Sequence, residues 1–231
     1  IEHFYDINEG ICHQVFIEQG FAKPGLLIVG SDSHTTSYGA IGTFSAGIGR
    51  SEAAAIWATG EIWLMVPNSM KMVFEGTFGK GVFVKDLALH IIGKIGLDGA
   101  IYRSVEFTGS AVKSFSISER FTLCNMAAEM GAKNGYFPYD SVTEEWFRSK
   151  NLQTSEPFYS DEDSFFELTQ HYNLSQLNPQ VAFPHDVDIV RDIESLKEEI
   201  KIDQCFIGTC TNGRIDDLEI AAKILGKHKI S

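Results

Sequence analysis

The chain has 231 residues, 44% of them hydrophobic and 22% charged, with a formal net charge of −12. That balance fits a folded globular protein with ample core material and excludes a disordered chain. No basic stripe is present and no apolar run approaches the roughly 20 residues of a membrane span, so a nucleic-acid surface and a transmembrane helix are both disfavoured.

The text opens on Ile1-Glu2-His3-Phe4-Tyr5-Asp6 with no initiator Met, so a fragment is expected. Residues Ile1 to Pro67 are predicted as strand–loop–helix units, with a short strand at Phe4 to Ile7. Lys23-Pro24-Gly25 is turn chemistry, and Leu26-Leu27-Ile28-Val29 is a continuous apolar strand of the kind buried in a parallel sheet. Next comes Gly30-Ser31-Asp32-Ser33-His34-Thr35-Thr36, in the place where ligands gather in open α/β sheets. Ser51 to Ala58 is predicted as a helix capped by its N-terminal Ser. After Pro67, Met70 to Glu75 alternates as a strand and Lys85 to Ile95 has helical spacing. Val105 to Phe107 is a further strand, and Ser118 to Met130 a helix stopped by Gly131. Asn151 to Pro184 is acidic and irregular, and is expected to be an exposed connection with short elements. Asp192 to Ile200 is predicted as a helix. Cys205-Phe206-Ile207 is predicted as a strand running into a loop at Cys210, followed by a helix from Ile215 to Leu225.

Four cysteines (Cys12, Cys124, Cys205, Cys210) lie far apart, which favours reduced intracellular thiols over a disulfide framework. Cys210 stands out because Gly208-Thr209-Cys210-Thr211-Asn212-Gly213-Arg214 would place it at a helix N-terminus. Exposed N–H groups and the helix dipole there favour thiolate. The alternative is a small apolar filler in a buried turn. Asp32-Ser33-His34 brings a carboxylate, a hydroxyl and an imidazole together. No G-x-S-x-G elbow accompanies them, so acid–base or ligand-orienting work fits better than a serine nucleophile. A turn held by Asp and Ser side chains is the other reading. Asn125 and Glu129, four apart, share one face of a predicted helix. Glu129 is either a paired carboxylate or an ordinary surface Glu. The glycine runs at Gly47 and Gly76–Gly81 lack phosphate-loop spacing.

Together these segments resemble the aconitase superfamily, and within it the large subunits of 3-isopropylmalate dehydratase and homoaconitase. The resemblance is carried by Gly10-Ile11-Cys12-His13-Gln14, Gly30-Ser31-Asp32-Ser33-His34-Thr35, Cys124-Asn125-Met126-Ala127-Ala128-Glu129-Met130-Gly131-Ala132 and Ile207-Gly208-Thr209-Cys210-Thr211-Asn212-Gly213-Arg214. Phe137-Pro138-Tyr139-Asp140 is similar to aconitase itself.

The resemblance implies an α/β fold of aconitase-like three-layer α/β/α domains. Residues 1–67 would end a first domain, 68–179 would form a second and 180–231 would begin a third. It implies a hydro-lyase using a 4Fe-4S cluster on a malate-type acid, with 3-isopropylmalate dehydratase first, homoaconitase next and aconitase third. Cys210 would be the first cluster ligand. His13 with Asp32, and His34 with Glu129, would be catalytic imidazole–carboxylate pairs. Ser33 and Asn125 would hydrogen-bond the substrate or cluster surroundings, and Thr211 and Asn212 would shape the loop. The paired cysteines of a G-x-C-x-x-C-like motif, a Ser-Asn-Arg-Asn-type segment and an upstream Asp-His segment lie outside these residues. An isolated segment is therefore expected not to hold an intact cluster. A small subunit, or swivelling domain, would carry the catalytic serine base and a specificity arginine. A cytoplasmic location is expected. An RNA-binding regulator is a second class implied by the same relatives, and the net charge of −12 argues against it.

Overall fold

A computed structural model describes residues 2–226 of the chain. Helix α1 (Cys12–Glu18) leads to strand β1 (Leu27–Gly30), a 3-10 segment (Ser33–Ile41), strand β2 (Phe44–Gly47) and helix α2 (Arg50–Thr59). Strand β3 (Ser69–Glu75), helix α3 (Val84–Ile95), strand β4 (Ser104–Thr108), helix α4 (Ile117–Met126), strand β5 (Asn134–Tyr136) and helix α5 (Ser141–Ser149) follow. Strands β6 (Leu168–Asn173), β7 (Gln180–Ala182) and β8 (Val190–Asp192) precede helix α6 (Ile215–Leu225). Strands β1 and β2 pair in parallel, and β5-β4-β3-β6 form a four-stranded sheet that is parallel throughout. The fold is α/β. Among the described residues no helix is long and apolar enough to cross a membrane.

Strand β3 shows why the larger sheet forms. Met70, Met72 and Phe74 are fully buried on one face, while Ser69, Lys71 and Val73 point the other way and are half-buried. Helix α3 answers with Val84, Leu87, Ala88, Ile91 and Ile92, one stripe at helical spacing. Each of the Val, Leu and Ile side chains contributes on the order of 1.5–3 kcal/mol by leaving water. Helix α4 adds Phe121 and Leu123 to a core that runs continuously from Ile17 to Leu177.

The 3-10 segment carries the site onto the larger sheet. Nine residues is long for this conformation, and its polar side chains Thr35, Thr36 and Ser37 are buried. The Phe137 N–H donates to the Gly39 carbonyl at 2.9 Å. A Cβ on Gly39 would collide with the Gly135 carbonyl, so only glycine lets the backbones approach this closely. Nearby, the Ser45 N–H donates to Asn134 Oδ1 at 3.0 Å, which ties β2 to β5.

Several expectations are corrected. Phe4 to Ile7 is not a strand: Phe4 and Ile7 are exposed, and no strand pairs with them among the described residues. Helix α2 is not capped by Ser51. Its N-cap is Gly49, whose N–H donates to Glu52 Oε2 at 2.6 Å. Helix α4 starts earlier than expected, on a capping box of Ser116 and Glu119, and tightens to 3-10 geometry over Ala127–Met130 before left-handed Gly131. The short elements expected in 151–184 do occur there and include β6, whose strand pairing was masked by polar side chains because it lies at the sheet edge. Asp192 to Ile200 is not a helix. Val190–Asp192 pairs with β7, Asp192 holds Asn178 and Gln180, and the single 3-10 turn Ile193–Ser195 that follows buries no side chain. Cys205 to Ile207 is not a strand either, since no neighbour pairs with it among the described residues and Phe206 is exposed.

Candidate active site

Strand β1 ends at Gly30, and Asp32 caps the 3-10 segment by accepting the His34 N–H on Oδ1 at 2.8 Å. The same oxygen lies 3.0 Å from His13 Nε2 and 3.5 Å from His34 Nδ1. His13 enters from α1 and is buried. Its Nδ1 meets the Tyr38 hydroxyl at 3.0 Å. The other nitrogen of His34, Nε2, lies 3.1 Å from Glu129 Oε1. The result is one polar chain running Tyr38–His13–Asp32–His34–Glu129. His13, Asp32, His34 and Glu129 were all candidates from the sequence. Tyr38 was not, and no local signal distinguishes it from a core aromatic.

Electrostatics polarise this chain. The hydrogen bond to Glu129 pushes the His34 pKa above its ordinary value, against the opposing effect of burial. The Glu129 carboxyl is held below its ordinary value, first by the hydrogen bond from His34. For Asp32, burial acts to raise the pKa, but bonds from His13 and the His34 N–H with the two imidazole charges leave it lowered. Burial pushes the Tyr38 phenol well up, so it stays a donor. The net arrangement is two carboxylates flanking an imidazole that favours its charged form.

Cys210 is tied through Asn125 to Ser37, on the 3-10 segment that also carries His34. That amide is fully buried and donates through Nδ2 to Ser37 Oγ at 2.9 Å and to Cys210 Sγ at 3.4 Å, while Oδ1 accepts from Thr211 Oγ1 at 2.6 Å. Arg214 secures the same loop. Its guanidinium donates to the Cys210 carbonyl at 2.9 Å and the Thr211 carbonyl at 3.0 Å, and stacks 4.2 Å over the Phe121 ring. Helix α6 begins at Ile215 with Arg214 as N-cap. Cys210 therefore lies before the first helical turn, outside the reach of the dipole that its sequence position suggested. Asn212 Nδ2 reaches Asp217 instead of the site. Ser33 is exposed and borders a recess of about 370 Å³ with Gly47, Glu52 and Lys133.

A 4Fe-4S cluster takes thiolate ligands. Cys210 fits as one: its sulfur accepts an N–H bond and borders a cavity of about 240 Å³ shared with His13. Burial, then the Asp32 charge, push the Cys12 thiol up, and Cys124 is a fully buried core thiol. Among the described residues no three His, Cys, Asp or Glu side chains converge as a metal site, so these residues do not complete the donor set.

Fold and site together define an α/β protein with acid–base groups clustered beyond a parallel strand. The model of the aconitase family (aconitate hydratase) matches residues 2–200, and the chain belongs to that family. It is 48% identical over 231 residues to a protein of Methanosarcina mazei named "Probable methanogen homoaconitase large subunit", covering 100% of this chain and 59% of that one. It is 47% identical over 231 residues to a 3-isopropylmalate dehydratase large subunit of Acetivibrio thermocellus, covering 100% and 55%. A 3-isopropylmalate dehydratase large subunit 1 of Methanopyrus kandleri is 46% identical over 225 residues, covering 97% and 54%. The chain thus spans little more than half the length of these relatives.

Proposed function

We propose that this chain is part of the large subunit of a hydro-lyase that moves a hydroxyl between adjacent carbons of a malate-type acid by dehydration and rehydration. The first assignment is 3-isopropylmalate dehydratase, converting 2-isopropylmalate to 3-isopropylmalate in leucine biosynthesis. Homoaconitase of lysine biosynthesis is the second, and the names of the relatives divide between these two. One observation carries the reading: a single Asp32 oxygen lies within 3.5 Å of both His13 and His34, and His34 is paired with Glu129.

In this reading His34, favoured in its charged form, protonates the departing hydroxyl, and Glu129 holds it oriented. His13 and Asp32 orient water for the return step. Ser33, exposed at its recess, bonds the substrate, and Asn125 holds the sulfur of Cys210 in place. A bound 4Fe-4S cluster supplies Lewis acidity that makes hydroxide a tolerable leaving group. Cys210 is one of its thiolates and the other two come from outside these residues. The relatives' designation as large subunits supports a small-subunit partner, in which we place the swivelling domain and the catalytic base. We retain residues 1–67, 68–179 and 180–231 as parts of three successive α/β domains, and a cytoplasmic location.

The test is an anaerobic assay of the full-length protein with its small subunit on isopropylmalate, homocitrate and citrate. Isopropylmalate is expected to turn over fastest. Faster turnover of homocitrate reverses the order of assignment, and no turnover of any of the three refutes the hydro-lyase reading. Cys210→Ser is expected to abolish the visible cluster absorbance, and full retention of that absorbance would remove Cys210 from the ligand set.

A further inference from the structure

The buried end of the polar chain has no role in the reading above. Tyr38 is 5% exposed, its ring stacks on Phe16 at 4.8 Å, and it meets the His13 ring edge-on at 5.5 Å. Among the described residues the one hydrogen-bond partner of its hydroxyl is His13 Nδ1, at 3.0 Å.

We propose that Tyr38 is a positioning residue that reinforces the His13 tautomer Asp32 requires, donating to Nδ1 while the proton on Nε2 is directed at Asp32. This inference rests on the hydro-lyase reading for its catalytic consequence, but its structural content does not. A buried phenol finds an acceptor when one is in reach. An ionised carboxylate can only accept. His13 lies between these two groups, so a neutral imidazole satisfies both in one arrangement alone. The Tyr38 O–H donates to Nδ1, and Nε2–H donates to Asp32. Reversing the tautomer turns the Tyr38 oxygen into an acceptor for the ring N–H and leaves Asp32 facing a bare nitrogen. The order propagates outward, because an Asp32 oxygen that accepts from His13 stays anionic beside His34. In this way one hydroxyl at the back of the site sets the proton inventory at its front.

The test uses selective 15N-histidine labelling of the full-length protein, with the His13 resonances assigned by their loss in His13→Gln. In the wild type, Nε2 is expected in its protonated form and Nδ1 in its bare form. Tyr38→Phe keeps the ring packing and removes only the donor. It is expected to raise the share of His13 that carries a proton on Nδ1, and in the two-subunit enzyme to lower kcat about ten-fold, the weight of one hydrogen bond, with little change in KM. Phe16→Leu loosens the same packing and keeps the hydroxyl, so it is expected to preserve the wild-type tautomer. The proposal is overturned if Tyr38→Phe leaves tautomer and kcat unchanged, or if Phe16→Leu reproduces its effect. Should Tyr38→Phe not fold, a wild-type His13 protonated at Nδ1 overturns it alone. If the wild type turns over none of the acids, the hydro-lyase reading fails while the resonance arm still decides the Tyr38–His13 relation.

Discussion

Asn125 and Cys210 are 85 residues apart in sequence, yet the amide of one lies 3.4 Å from the sulfur of the other. The same amide reaches Ser37, so a single buried side chain bolts the Cys210 loop to the 3-10 segment that carries His34. Asn125→Ala leaves Ser37 and Thr211 without this buried partner. It is expected to lower stability by about 3 kcal/mol, read as a shift in the urea midpoint of the full-length protein. An unchanged midpoint would mean that water or neighbouring groups replace the amide fully.

The His34–Glu129 pair predicts a pH signature. His34 is raised above 6.5, so its contribution is complete below that value and fades as pH climbs through the raised pKa. Glu129 is lowered below 4.5, so its contribution is complete above that value and fades as pH falls through the lowered pKa. Both act fully between 4.5 and 6.5. Glu129→Gln is expected to remove most of the stability that the wild type gains in that window relative to alkaline pH. Parallel curves of unfolding midpoint against pH for the two proteins would contradict the pairing.

Arg214 closes the loop from the other side. Gln cannot reach both the Cys210 and Thr211 carbonyls or stack on Phe121. Arg214→Gln is therefore expected to speed deuterium uptake in 208–213 and to destabilise by about 1–3 kcal/mol. Strand β3 should keep its protection, and uniform loosening of the whole chain would count against a local clamp.

Gly39→Ala forces a methyl into the Gly135 carbonyl. The expected cost is about 1–3 kcal/mol, with the 3-10 segment lifted from β5 and the His34–Glu129 contact lengthened. A crystal structure of the variant with that contact unchanged would show that the backbones have room to yield.

Much of the scaffold was legible in the sequence. Met70, Met72 and Phe74 alternate as a half-buried strand must, and Leu87, Ala88, Ile91 and Ile92 recur as a buried helical stripe must. Strand β6 was not legible, because an edge strand needs few apolar residues. The false helix at 192–200 arose because Ile193, Leu196 and Ile200 have helical spacing but no surface to bury against. At the site, Asp32 and His34 stood out because they follow a plainly apolar strand. The joining of His13 to Asp32 came through the family resemblance, since nothing in their spacing demands it. Tyr38 acts through His13, 25 residues away, and Arg214 stacks on Phe121 from a distant segment, contacts that no local pattern encodes.

The His34–Glu129 contact closes a span of 95 residues, and the Asn125–Cys210 contact one of 85. Contacts of such sequence separation form late, after the entropy of closing long loops has been overcome. A nascent chain that ends before Cys210 has neither the thiol nor the loop that Asn125 grips. The Asn125 clamp is therefore out of reach until translation has passed residue 211.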